Sequence, residues 1–320
     1  FWLRGRFRSH SAVVGSVDAR GLVRLFRNPE VLGVAHDRGG RGQLAESVPL
    51  ARLDAVQGTG LTGAGITVAV LDSGIDTDHP DLADDLVAER CFCGFGGTPC
   101  CPDGSSDQSG PGSAEDDEGH GSSVTGVVTS AGIVAPTGGA PDAGIVAVKV
   151  IDSNNRFSSL SDVLFGLQYI LDERPDVDVV NMSLGTDQLY TGVCDDTDAS
   201  TQAFASLAEE LRLAGVLLFA SAGNDKSGTA MSSPACLSSV ISVGAVYDAE
   251  LGSQRFFGCT DPNATPDEVS CWSNSNATTD LVAPGALVTT SWRDGLSATF
   301  VGTSEASPMA AACAALLLEA

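Results

Sequence analysis

Five short runs, at 66–71, 144–150, 177–181, 216–220 and 240–246, are almost continuously apolar and rich in Val and Ile. Strands of that kind are buried on both faces, because a strand with one wet face alternates polar and apolar residues. Segments of helical length lie at 120–130, 160–173, 201–214 and 304–318. Strands separated by crossover helices predict an α/β fold: a doubly wound, mostly parallel sheet with helices on both faces. Ligands of such sheets bind beyond the carboxyl ends of the strands. With 37 Gly and only 6% aromatics, the composition suits that tight packing.

Residues 1–43 read differently. They carry eight Arg, no Lys and three acids, whereas the rest of the 320-residue chain is acidic enough to bring the total to −24. A strand over 11–17, a helix capped by Asp18 and running to Arg27, and a second strand over 31–35 predict a small α+β unit. The glycine-rich stretch 38–42 closes it. Domains of 1–43 and 44–320 follow. The acidic balance is that of a solvated surface, and it argues against nucleic acid as a partner, since phosphate would be repelled. The charge split also permits a basic leader to dock on an acidic body. No apolar run approaches the ~20 residues that cross a bilayer, so no membrane partner is expected. The chain does not begin with Met and carries no signal peptide, as expected of a processed or partial chain.

Nine cysteines without the spacing of common metal sites point to an oxidising compartment. Cys313, in an alanine-rich helical stretch, reads as a small buried hydrophobe, which leaves eight to pair. Cys91, Cys93, Cys100 and Cys101 share one loop, Cys259 and Cys271 bracket another, and Cys194 and Cys236 remain. The spacing over 91–101 does not suit a structural zinc site. Connectivity is left open.

Three residues carry reactive chemistry. Asp72 ends the apolar run 66–71. His120 stands between Gly119 and Gly121 at the mouth of a helix, where small neighbours let a substrate approach the ring. Ser304 follows Gly302 and Thr303 at the start of another helix, so its N–H lies at the positive end of the helix dipole. Singly, each has a bland reading as a turn or helix cap. In the chain order Asp, His, Ser they supply the acid, base and nucleophile of a hydrolytic triad.

Through Asp72-Ser73-Gly74-Ile75-Asp76, Gly119-His120-Gly121 and Gly302-Thr303-Ser304, the chain resembles the subtilisin-like serine proteases from about residue 48 to 320. The resemblance implies a subtilisin-like sheet fold and a secreted, monomeric endopeptidase of broad specificity that acts on protein or peptide substrates. It makes Asp72, His120 and Ser304 catalytic. Residues 220–224 resemble the family's oxyanion segment, which assigns the Asn224 amide to the oxyanion. Residues 181–185 resemble its substrate strand, which gives Ser183, Leu184 and Gly185 the substrate backbone as an added strand. Residues 1–43 resemble the later part of an inhibitory propeptide, implying an intramolecular inhibitor. The family's domain continues beyond the nucleophile helix, which implies C-terminal truncation.

Two departures stand out: Glu305 where the family commonly has Met, and Ser122-Ser123 where it has Thr-His. The chemistry requires no cofactor. Asp81 matches a calcium ligand of the family, but the stretch 131–141 is short for the loop that completes that site, so structural calcium stays open. The acidic run 115–118 reads as a solvated charge run. The rivals are a catalytically impaired, peptide-binding pseudoenzyme and an acidic, calcium-dependent surface protein. A lipase-type hydrolase would need a Gly-x-Ser-x-Gly elbow, which Thr303-Ser304-Glu305 does not supply.

Overall fold

The computed structural model describes residues 2–6, 13–31, 34 and 44–320. The chain divides into two compact units, Phe1–Arg41 and Gly42–Ala320. In the first, strand Val13–Ser16 pairs antiparallel with Trp2–Arg6. Helix Ala19–Phe26 follows, and the Asp18 side chain accepts the Gly21 N–H at 2.6 Å as its cap. Trp2–Arg6 escapes a sequence reading because two Arg and a Gly interrupt its apolar pattern. The strand expected over 31–35 is not found at Val31 or Val34, and the other three positions lie outside the described residues. The Val31 N–H is instead taken by the Asn28 carbonyl at 3.0 Å, which closes a turn.

An eight-stranded sheet organises the second unit. Its strands are β1 (Thr67–Asp72), β2 (Leu86–Phe92), β3 (Asp107–Ser109), β4 (Gly144–Lys149), β5 (Val179–Met182), β6 (Leu217–Ser221), β7 (Ile241–Val246) and β8 (Leu281–Pro284). Spatial order is β8-β7-β6-β5-β1-β4-β2-β3. Every pairing is parallel except β2 with β3. This is the doubly wound, mostly parallel α/β arrangement expected. The strands the sequence hid are β2, β3 and β8, all towards the sheet margins, where Glu89 and Arg90 or half-exposed positions dilute the apolar signal.

Alternation along β1 explains why the strands lack a polar face. Val68 and Val70 pack into one core with Val124 and Val127 of helix α1 (His120–Thr129) and with Met309 and Ala312 of helix α4 (Thr303–Glu319). Ala69 and Leu71 point the other way, onto Val163 and Leu167 of helix α2 (Leu160–Glu173) and Phe204 and Leu211 of helix α3 (Ala199–Leu213). The residues of α4 facing the sheet are mostly Ala, which lets this helix run through the core at close range. Its first turn carries Ser304.

Four disulfides close the loops: Cys91–Cys101 and Cys93–Cys100 nested in one, Cys194–Cys236 and Cys259–Cys271 elsewhere. Cys313 is free. No described helix is long and apolar enough to cross a membrane.

Candidate active site

Asp72 is the last residue of β1, fully buried, with β4 on one side and β5 on the other. Its Oδ1 accepts from the Ser73 N–H and from His120 Nδ1, both at 2.7 Å. Oδ2 is buried with no hydrogen-bond partner. That bond leaves Nε2 as the ring nitrogen facing outwards to react. Burial on its own would lower the His120 pKa; the charge and hydrogen bond of Asp72 outweigh it, helped by Glu305 and Glu118, and hold the imidazole above its ordinary value.

The glycines beside His120 serve packing rather than the substrate access the sequence suggests. A Cβ on Gly121 would lie 2.1 Å from the Gly74 carbonyl oxygen, so only Gly lets α1 seat against the turn after β1. Gly119 has φ 114°, and a Cβ there would strike the Trp292 ring. Asp72 and His120 meet because these backbones can touch.

The acidic run before His120 is only partly solvated: Asp117 is exposed, but the run is tied into the fold. Asp116 is buried; its Oδ1 accepts from Ser73 Oγ and the Glu118 and Gly119 N–H groups, and its Oδ2 accepts from the N–H and hydroxyl of Ser122. These bonds overcome the rise that burial would cause and hold its carboxyl below the ordinary value. Asp117 pairs at 2.6 Å with the buried Lys149, and Glu118 accepts the His120 N–H at 2.7 Å. The run is a scaffold for the start of α1. Four acids in a row look like surface charge, and only their hydrogen-bond donors reveal otherwise.

Ser304 is set by β5. Asn181 donates to Ser183 Oγ at 3.0 Å, Ser183 Oγ donates to the Ser304 carbonyl at 2.8 Å, and Ser307 Oγ donates to Asn181 Oδ1 at 2.7 Å. The Ser304 hydroxyl is turned towards the Ser183 carbonyl, 3.5 Å away, and makes no hydrogen bond to His120. Ligand-free nucleophile–base pairs are often loose in this way. Ser304 and His120 line one open cleft of about 420 Å³ together with Ser183, Leu184, Gly185 and Phe157.

Asn224 follows β6. Its Oδ1 accepts both the N–H and the hydroxyl of Thr303, at 2.9 and 3.0 Å. The amide is thereby oriented with its NH₂ free to donate, beside the first turn of α4. All seven residues that the sequence singles out therefore lie at the carboxyl ends of β1, β5 and β6 or on the adjoining helix starts.

A sequence model of the Subtilase family matches residues 63–320. The chain belongs to this family. It is 28% identical over 321 residues to Subtilisin E of Bacillus subtilis (strain 168), covering 98% of this chain and 72% of that protein. It is 32% identical over 264 residues to an intracellular serine protease of Paenibacillus polymyxa, covering 80% and 67%. The Minor extracellular protease Epr of Bacillus subtilis (strain 168) is 33% identical over 262 residues, 81% of this chain and 33% of that one. A cold adapted subtilisin-like serine proteinase of known crystal structure superposes with a TM-score of 0.59 at 26% identity, covering 81% and 77%. This subtilase is a serine endopeptidase, and its substrates are proteins or peptides.

In this subtilase Asp81 does not fit a cation. Its two carboxylate oxygens accept the backbone N–H groups of Ile133 at 2.5 Å, Val134 at 3.1 Å and Ala135 at 2.8 Å. The loop 133–135 turns positive N–H dipoles onto the lone pairs that a metal would need. Among the described residues, no group of three or more His, Cys, Asp or Glu side chains is placed to hold a metal ion.

Proposed function

We propose that Asp72, His120 and Ser304 are the catalytic triad of this endopeptidase. The single observation that carries the reading is the 2.7 Å bond from buried Asp72 to His120, whose ring shares a cleft with Ser304. A neutral serine is a poor nucleophile, so His120 Nε2 takes the Ser304 proton as Oγ attacks the scissile carbonyl carbon. Asp72 holds the imidazole in the required tautomer and stabilises the imidazolium. The tetrahedral oxyanion receives the Asn224 amide and the Ser304 N–H. The proton then passes from His120 to the leaving amine, and water, activated in the same way, releases the acyl group from Ser304.

Substrate backbone lies along Ser183, Leu184 and Gly185 as an added strand. Main-chain hydrogen bonds read no side chain, so broad specificity follows. No cofactor enters the chemistry. Four disulfides and a relative named as extracellular support secretion. The catalytic domain spans 44–320. Residues 1–43 serve as an inhibitory leader, in line with their basic charge, the separate compact unit Phe1–Arg41 and the match to Subtilisin E over 98% of this chain.

Casein hydrolysis by the wild type and by Ser304→Ala tests both parts. Loss of hydrolysis in the variant, together with a new N-terminus within 37–46 in the wild type alone, is the expected outcome. An active variant refutes the triad, and equal processing of the two chains refutes self-removal of the leader.

A further inference from the structure

The triad and oxyanion groups leave one buried acid of the site unused. Glu305 follows the nucleophile in the first turn of α4 and is 2% exposed. A Cβ built on Gly302 would stand 2.9 Å from Glu305 Oε2 and 3.5 Å from Asn224 Nδ2, so the carboxyl and the oxyanion amide border the same small space. The backbone of the turn fixes it there, since the Glu305 N–H is bonded to the Gly302 carbonyl at 3.2 Å.

We propose that Glu305 is a positioning residue whose charge sets the acidic limit of catalysis by holding the proton on His120. The inference rests on the triad reading above. His120 on α1 and Asp72 at the end of β1 are the charged groups that act on Glu305, while Asn224 and Ser304 beside it are neutral. Burial raises the Glu305 carboxyl, to about 7, against the pull of His120. An ionised Glu305 favours imidazolium and so delays the appearance of the free base as pH rises. The apolar side chain that the family commonly has at this position exerts no such field. This subtilase therefore starts to work at a higher pH than its Asp72–His120 pair alone would dictate.

The test is the pH profile of kcat/KM for the wild type, Glu305→Gln and Glu305→Met, with folding checked by near-ultraviolet circular dichroism. Met suits the buried site if Gln does not fold. The acidic limb is expected to move towards acid by at least about one pH unit, the effect of a unit charge ~12 Å away at an effective dielectric of ~20 and a lower bound for a nearer one. KM should stay within about twofold, because the charge acts on the base and not on bound substrate. A limb that stays in place, or moves towards alkali, in a folded variant overturns the proposal. Ser304→Ala assayed alongside separates the two failures: residual full activity there removes the triad, whereas an inactive Ser304→Ala with an unmoved limb removes only the role of Glu305.

Discussion

Ser183 Oγ donates to the carbonyl of Ser304 at 2.8 Å, so the segment we propose takes substrate also holds the proposed nucleophile. The same hydroxyl accepts from Asn181, which in turn accepts from Ser307 on the nucleophile helix. Under the proposed roles, substrate position and nucleophile position are set by one polar chain.

Ser183→Ala should lower kcat while costing about 1 kcal/mol of stability, the net worth of an ordinary hydrogen bond. Steady-state kinetics on protein of known folded fraction decide this. If kcat per folded molecule is unchanged, the link between β5 and α4 has no catalytic consequence.

Asn224→Leu should cut kcat by about 10²–10³ with little change in KM, a magnitude known for the loss of an oxyanion donor in this family. In the proposed role, the interaction forms only once the carbonyl carbon is tetrahedral. A variant that loses stability but keeps its turnover would return Asn224 to a turn-stabilising role through Thr303.

Asp116→Asn should destabilise the fold by about 3 kcal/mol, because an NH₂ group would face donors that now bond a buried carboxylate. The native Asp116 carboxyl lies below the ordinary aspartate value. Its stabilising contribution is accordingly complete above that pH and is lost as pH falls through the lower folded value. Denaturant unfolding at pH 3 and pH 7, in a Ser304→Ala background that cannot digest itself, should show a smaller penalty at pH 3. An equal penalty at both would mean that the charge is irrelevant.

How much of this was legible in sequence depended on whether a residue acts through its own type or through its partners. Asp72, His120 and Ser304 stand at a strand end and two helix starts, and boundaries of that kind are visible in apolar patterning. Asp116 and Glu118 looked like surface charge because nothing in the run 115–118 tells which carboxylate meets inward-pointing N–H groups. The packing role of Gly121 is hidden for the same cause: its partner, Gly74, lies 47 residues away in the chain. Strands β2, β3 and β8 were missed where marginal position weakens the double-faced burial that marks the central strands.

Thiol mapping checks the covalent frame. After denaturation without reductant, alkylation should mark Cys313 alone; in the native protein the label should enter slowly, since burial pushes this thiol up. Modification of any of Cys91, Cys93, Cys100 or Cys101 in unreduced protein contradicts the nested pairs.

The most direct measurement is peptide mass spectrometry after reaction with a fluorophosphonate, which phosphonylates a serine only where a base activates it. One adduct per chain is expected, on Ser304, absent from His120→Ala and strongly slowed in Asp72→Asn. Labelling at another serine, or labelling of Ser304 that survives the loss of His120, would contradict it.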